Sequence, residues 1–120
     1  MKNVVVLGAS HKPARFSYKA LVKLIEHGYE VLPVHPKLEK IKDIDVFATL
    51  DAISVTVDTV TLYVGPAKMI DLVDDVCQLK PNRVIFNPGT ESAEIKQRFE
   101  EAGIECIYDC TLIMLDQNRF

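Results

Sequence analysis

The residues best equipped for chemistry stand together near the start of the chain, in Gly8-Ala9-Ser10-His11-Lys12-Pro13-Ala14-Arg15-Phe16-Ser17. Lys12 and Arg15 are cations, and Ser10 and Ser17 offer hydroxyl donors. Together they suit the holding of negative oxygens, since hydrogen bonds to charged groups are the strong ones. The stretch follows Val4-Val5-Val6-Leu7, a strand-like run, and leads into a helical pattern from Tyr18. A helix start leaves backbone N–H groups without internal partners, and its dipole adds about half a positive charge. Strand, Gly-bearing loop and helix in that order make a phosphate site, and a phosphorylated nucleotide is expected there.

The end of the second strand sharpens the choice of nucleotide. NAD sites carry an Asp or Glu there that accepts from the ribose hydroxyls. This chain has His35-Pro36-Lys37 instead. A carboxylate would repel a phosphate on the ribose, whereas Lys37 attracts one. NADP and coenzyme A both carry such a phosphate. The dinucleotide fingerprint Gly-x-Gly-x-x-Gly is absent: Gly8 matches its first position and Ser10 stands at its second glycine. Without that glycine the backbone approaches a pyrophosphate less closely.

The remaining reactive side chains point to bland roles. Cys77, Cys106 and Cys110 show no Cys-x-x-Cys pair, so neither a metal site nor a disulfide framework is expected. Core packing is the simpler reading for Cys77 and Cys106. His27 suits the end of the first helix, and His11, inside the phosphate loop, reads either as a donor to a phosphate or as a solvated loop residue. His35 is the best functional candidate of the three histidines. Asp71, Asp74 and Asp75 read as a solvated helix face. No residue is assigned a catalytic role.

These groups need a scaffold, and the pattern supplies one. Strands are expected at Val4–Leu7, Tyr29–Val34, Thr59–Val64, Arg83–Phe86 and Ile104–Tyr108, with a short edge strand at Val46–Thr49. Continuous β-branched runs suit a parallel sheet covered on both faces. Tyr18, Leu21, Val22 and Ile25 recur at helix spacing, with Ser17 as the expected N-cap and Gly28 as the stop. Leu38 to Asp45 reads as irregular and Leu50 to Ile53 as one helical turn. Gly65-Pro66 opens a helix with Pro at the favoured first position, running toward Pro81. Asn87-Pro88-Gly89-Thr90 is a tight turn, and Glu91 to Ala102 a helix that Gly103 ends. The tail from Cys110 to Leu115 is apolar enough to pack on something. Strands alternating with helices predict an α/β chain, a three-layer Rossmann-like fold with a parallel sheet of five to six strands and helices on both faces. The expected strand order is 3-2-1-4-5-6, or the same without the edge strand. The site then lies at the carboxyl ends of the strands.

Bulk properties narrow the partners. The length of 120 residues suits one domain spanning 1–120. A net charge of −3 argues against a nucleic-acid role. No run is long enough for a membrane span, and Met1-Lys2-Asn3 lacks a leader pattern. The odd cysteine count fits a reducing cytoplasm.

Gly-Ala-Ser-x-x-Pro-x-Arg-x-Ser-Tyr from Gly8, then His-Gly-Tyr-x-Val-x-Pro-Val-x-Pro-Lys ending at Lys37, then an apolar tail around Cys110, resembles the small CoA-binding domain proteins. These are stand-alone Rossmann-like domains similar to the CoA-binding part of succinyl-CoA synthetase. The resemblance runs from Asn3 to about Met114. It implies that Gly8, Ala9, Ser10, Lys12, Pro13, Arg15 and Ser17 take the phosphates. It implies further that Val34, His35, Pro36 and Lys37 lie by the adenosine, and that Val64, Gly65 and Pro66 flank the nucleotide. The family commonly has Asn at the place of His35. It often has Phe-Arg after the fourth strand, where this chain has Tyr63-Val64-Gly65-Pro66 and no basic contact. It favours Asp-Arg-Cys where Asp109 directly precedes Cys110. The expected function is binding of coenzyme A or an acyl-CoA, without catalysis of its own. The rivals are an NADP-binding oxidoreductase-like domain and a protein-interaction module with a decayed nucleotide site. A protein partner or self-association through the tail stays open.

Overall fold

In β1 (Asn3–Leu7), Val4 and Val6 point to one side of the sheet and Val5 and Leu7 to the other, and all four are buried. That alternation, the period-2 geometry of a strand, divides the interior into two cores. A computed structural model of the chain describes residues 2–120; Met1, where the N-terminal reading begins, lies outside them. Five parallel strands form the sheet in the order β2-β1-β5-β6-β7, where β2 is Glu30–Val34, β5 Thr59–Leu62, β6 Arg83–Phe86 and β7 Glu105–Tyr108. This is the expected Rossmann-like order without the edge strand.

One core joins Val4 and Val6 to Leu21 and Leu24 of α1 (Phe16–Glu26) and to Leu115 of α5 (Thr111–Asp116). The other joins Val5, Leu7, Val60 and Phe86 to Val73 and Val76 of α3 (Val73–Leu79), and to Ile95 and Phe99 of α4 (Ala93–Glu101). Helices thus cover both faces. The apolar tail packs against α1 as α5, and Lys23 pairs with Asp116 across that contact. A buried network secures its start: Asn87 donates to Thr61 Oγ1 and to the Leu62 carbonyl, and accepts from the Thr111 amide at 2.9 Å.

Four expectations need correction. The edge strand at Val46–Thr49 shrinks to a single parallel bridge between Phe47 and Val34. Extending it backward requires an N–H from Pro33, which has none. Extending it forward requires the Lys37 N–H, which donates instead to His35 Nδ1 at 3.0 Å. Leu38 to Asp45 is not irregular throughout: β3 (Lys40–Ile41) and β4 (Ile44–Asp45) form an antiparallel hairpin whose turn residues, Lys42 and Asp43, both have positive φ. Ile41 anchors it in the core, 2% exposed. The helix from Pro66 is not continuous. It comprises α2 (Pro66–Met69), a 3₁₀ turn at Ile70–Leu72, and α3. Finally, Ser17 is not the N-cap of α1. The Arg15 N–H closes a turn onto the Lys12 carbonyl at 3.0 Å, so the helix begins at Phe16 with Arg15 in the cap position.

Candidate functional site: an acid-free cleft at the ends of the strands

The carboxyl ends of β1, β2 and β5 open into one cleft of about 980 Å³. The backbone fixes its floor. Gly8 and Ala9 both donate to the Val34 carbonyl, at 3.2 and 3.1 Å, and Tyr63 donates to the Leu7 carbonyl at 2.9 Å. These bonds tie the β1 end to both of its neighbours, where the direction of winding reverses.

Gly8 has a role the sequence did not reveal. Its φ is +88°, and a Cβ there would stand 2.8 Å from Val64 Cγ2 and 2.9 Å from the Tyr63 carbonyl oxygen. Gly8 therefore lets the β1–α1 and β5–α2 loops meet at the base of the cleft. Gly65 is open on its Cβ side, so the backbone of the second loop is accessible from the cleft.

Eleven of the fourteen expected residues line the cleft: Gly8, Ala9, Ser10, Lys12, Arg15, Ser17, Val34, His35, Pro36, Val64 and Gly65. Pro13, Lys37 and Pro66 fall outside the lining. His11, Phe16, Leu38, Tyr63, Ala67, Lys68 and Leu72 line it as well. Leu38 arrives with the hairpin that the sequence did not signal. Ala67 and Lys68 arrive because Met69 beside them is fully buried and pins α2 to the core.

No Asp or Glu lines the cleft, although the chain has 17 acids against 14 Lys and Arg. Among the described residues no carboxylate lies within 4.0 Å of Lys12, Arg15 or Lys68. A cleft lined by one sign of charge concentrates the field it presents to a ligand. The start of α1 adds to it: Arg15 provides no side-chain cap, and no acid stands in the first turn. In α4, by contrast, Ser92 accepts from the Ile95 amide and Glu94 stands in the first turn.

Two further side chains have defined proton states. His35 Nδ1 accepts from the Lys37 amide, so the neutral ring carries its proton on Nε2 as a donor. Partial burial, Lys37 and His11 hold its pKa below the ordinary histidine value. Burial pushes the Tyr63 hydroxyl up to about 12, so it keeps its proton at neutral pH. The cysteines lie elsewhere: Cys77 and Cys106 pack against the α3–α4 core, and burial pushes the Cys106 thiol up to about 11. Among the described residues, no three His, Cys, Asp or Glu gather as metal ligands, and no helix is long and apolar enough to cross a membrane.

Residues 2–116 match the model of the CoA binding domain. The chain belongs to the CoA-binding domain family. Membership supports coenzyme A as its small-molecule ligand. The alpha subunit of the ADP-forming acetate–CoA ligase I of Pyrococcus furiosus is 34% identical over 115 residues, a match covering 85% of this chain and 25% of that subunit. The crystal structure of an uncharacterized protein matches this CoA-binding domain with a TM-score of 0.94 at 39% identity, covering 100% of this chain and 98% of the other. A Thermus thermophilus protein matches with a TM-score of 0.91 at 29% identity, over 99% of this chain and 90% of that one.

Proposed function

We propose that the cleft at the ends of β1, β2 and β5 binds coenzyme A or an acyl-CoA, and that the domain performs no catalysis of its own. The observation that carries this reading is the acid-free cleft, into which an uncapped helix start, Lys12 and Arg15 project. Gly8, Ala9, Ser10, Lys12 and Arg15 of the β1–α1 loop, with Ser17 in the first turn of α1, hold the diphosphate, and Pro13 shapes the loop between them. Charge-assisted hydrogen bonds contribute about 1.5–3 kcal/mol each, and a micromolar complex needs about 8 kcal/mol net. Two or three such contacts with apolar packing on the adenine are enough.

Val34 and Pro36 flank the adenine, and His35 offers Nε2–H to the ribose side. Lys37 stands outside the lining, but its charge reaches His35, and it attracts the ribose phosphate from the rim. Val64 and Gly65 close the far side, with Pro66 following as the first residue of α2. Residues 1–120 form one binding domain, suited to a cytoplasmic sensor, carrier or partner subunit of an acyl-CoA enzyme. The likeness to the ligase alpha subunit supports the ligand; it spans a quarter of that subunit, and the ligase reaction is not carried over.

Calorimetric titration with CoA, dephospho-CoA, NADP and NAD tests the reading. CoA is expected to bind best, with Lys12→Ala and Arg15→Ala each weakening it about tenfold. Lys37→Glu should abolish the preference for CoA over dephospho-CoA. Tighter binding of NADP than of CoA would favour the oxidoreductase-like alternative, and no response to any of the four would favour the interaction module.

A further inference from the structure

The sequence lacks a basic residue directly after β5, where Tyr63-Val64-Gly65-Pro66 stands, yet the structure brings a cation to that wall of the cleft. Lys68 is exposed, is the third residue of α2 and lines the cleft. Its direction is set by its neighbours: the Lys68 and Met69 amides both donate to the Gly65 carbonyl, at 3.1 and 2.9 Å, and Met69 is 1% exposed in the core. Asp71, Asp74 and Asp75 follow in the next turns, but none comes within 4.0 Å of its ammonium and none lines the cleft. Every buried side-chain N and O among the described residues already has a partner, so the interior makes no demand on Lys68.

We propose that Lys68 is a second phosphate contact, closing on the ligand's diphosphate from the wall opposite Lys12 and Arg15. This rests on the reading that the cleft takes CoA. The strand order decides which phosphate it meets. In folds of this winding the adenosine ribose lies at the end of the second strand, here β2, on one side of β1. Lys68 follows β5, on the other side of β1. A ribose phosphate therefore lies toward His35 and Lys37, and the diphosphate, centred over the β1–α1 loop, lies between the two walls. Lys68 thus supplies a cation to the β5 wall of the cleft from within α2.

Calorimetry on Lys68→Ala separates the possibilities. The variant should bind both CoA and dephospho-CoA about tenfold more weakly than wild type, since both keep the diphosphate. Lys68→Arg should recover most of the loss, and Lys68→Glu should exceed it. Because Lys68 is exposed, thermal melting of the ligand-free variants should match wild type. Unchanged affinity for both ligands would overturn the proposal, and so would a loss confined to CoA, which would place Lys68 on the ribose phosphate. Wild-type protein that binds neither ligand would overturn the CoA reading itself; wild-type binding that Lys68→Ala leaves intact would overturn this inference alone.

Discussion

His35 shows how one side chain can report on the ligand. Its ring is held neutral by partial burial, by Lys37 and by His11, and its Nδ1 already accepts from the Lys37 amide. The sign of the linkage follows. With a folded-state pKa below the ordinary value near 6.5, the unfolded chain binds more protons as pH falls through that range. The contribution of His35 to stability is therefore full above about pH 6.5 and is lost as the pH drops toward its folded pKa. A bound polyanion reverses the local field and favours the imidazolium. His35 should therefore contribute more to CoA binding at about pH 5.5 than at about pH 7.5. The phosphomonoester of CoA titrates near pH 6 itself, so the informative comparison is wild type against His35→Gln, in which that contribution cancels. Parallel pH profiles for the two proteins would remove His35 from the site.

At the scale of elements, the cleft depends on two loops that meet at Gly8. Gly8→Ala meets both a strained backbone and a blocked contact, since its φ is +88° and its Cβ would sit 2.8 Å from Val64. Gly28→Ala, at φ +86°, meets open space. Urea denaturation should show a loss of about 1 kcal/mol for Gly28→Ala, the conformational cost alone. Gly8→Ala should lose about 2–4 kcal/mol, because overpacking adds to that cost, and its CoA affinity should fall as the walls part. Equal losses would mean that the loops are not held in contact there.

The elements that were legible in the sequence share a cause. β1, β2 and β6 are rich in Val, Leu and Ile and lie next to Gly, Pro or Asn, so pattern and punctuation agree; β5 and β7 carry Thr, Glu and Cys and are recognisable mainly by their place between helical stretches. The β3–β4 hairpin was illegible because Lys42-Asp43 turns with positive φ at both residues and contains no glycine to announce it. The edge strand looked sound as a run of residues. It failed on the inability of Pro33 to donate, a property of its partner strand.

For the whole molecule, the topology carried the site further than any motif did. Strand order alone places the ends of β1, β2 and β5 side by side, which gathers most of the expected residues around one cleft. Lys68 and Tyr63 escaped notice because nothing in a linear pattern tells which way a residue beyond the loop will face; the burial of Met69 decides that for Lys68. Lys37 is the converse, a cation at the right place in the sequence whose side chain stays at the rim. The net charge of −3 also conceals the cleft, because the acids lie outside it.

The most direct test of the account is a crystal structure of the complex with CoA. Diphosphate oxygens should lie within hydrogen-bond distance of the backbone amides between Ser10 and Ser17, with Lys12 and Arg15 on the same oxygens. Phosphates found elsewhere on the protein, or a cleft filled by the protein's own side chains while CoA binds another surface, would contradict it.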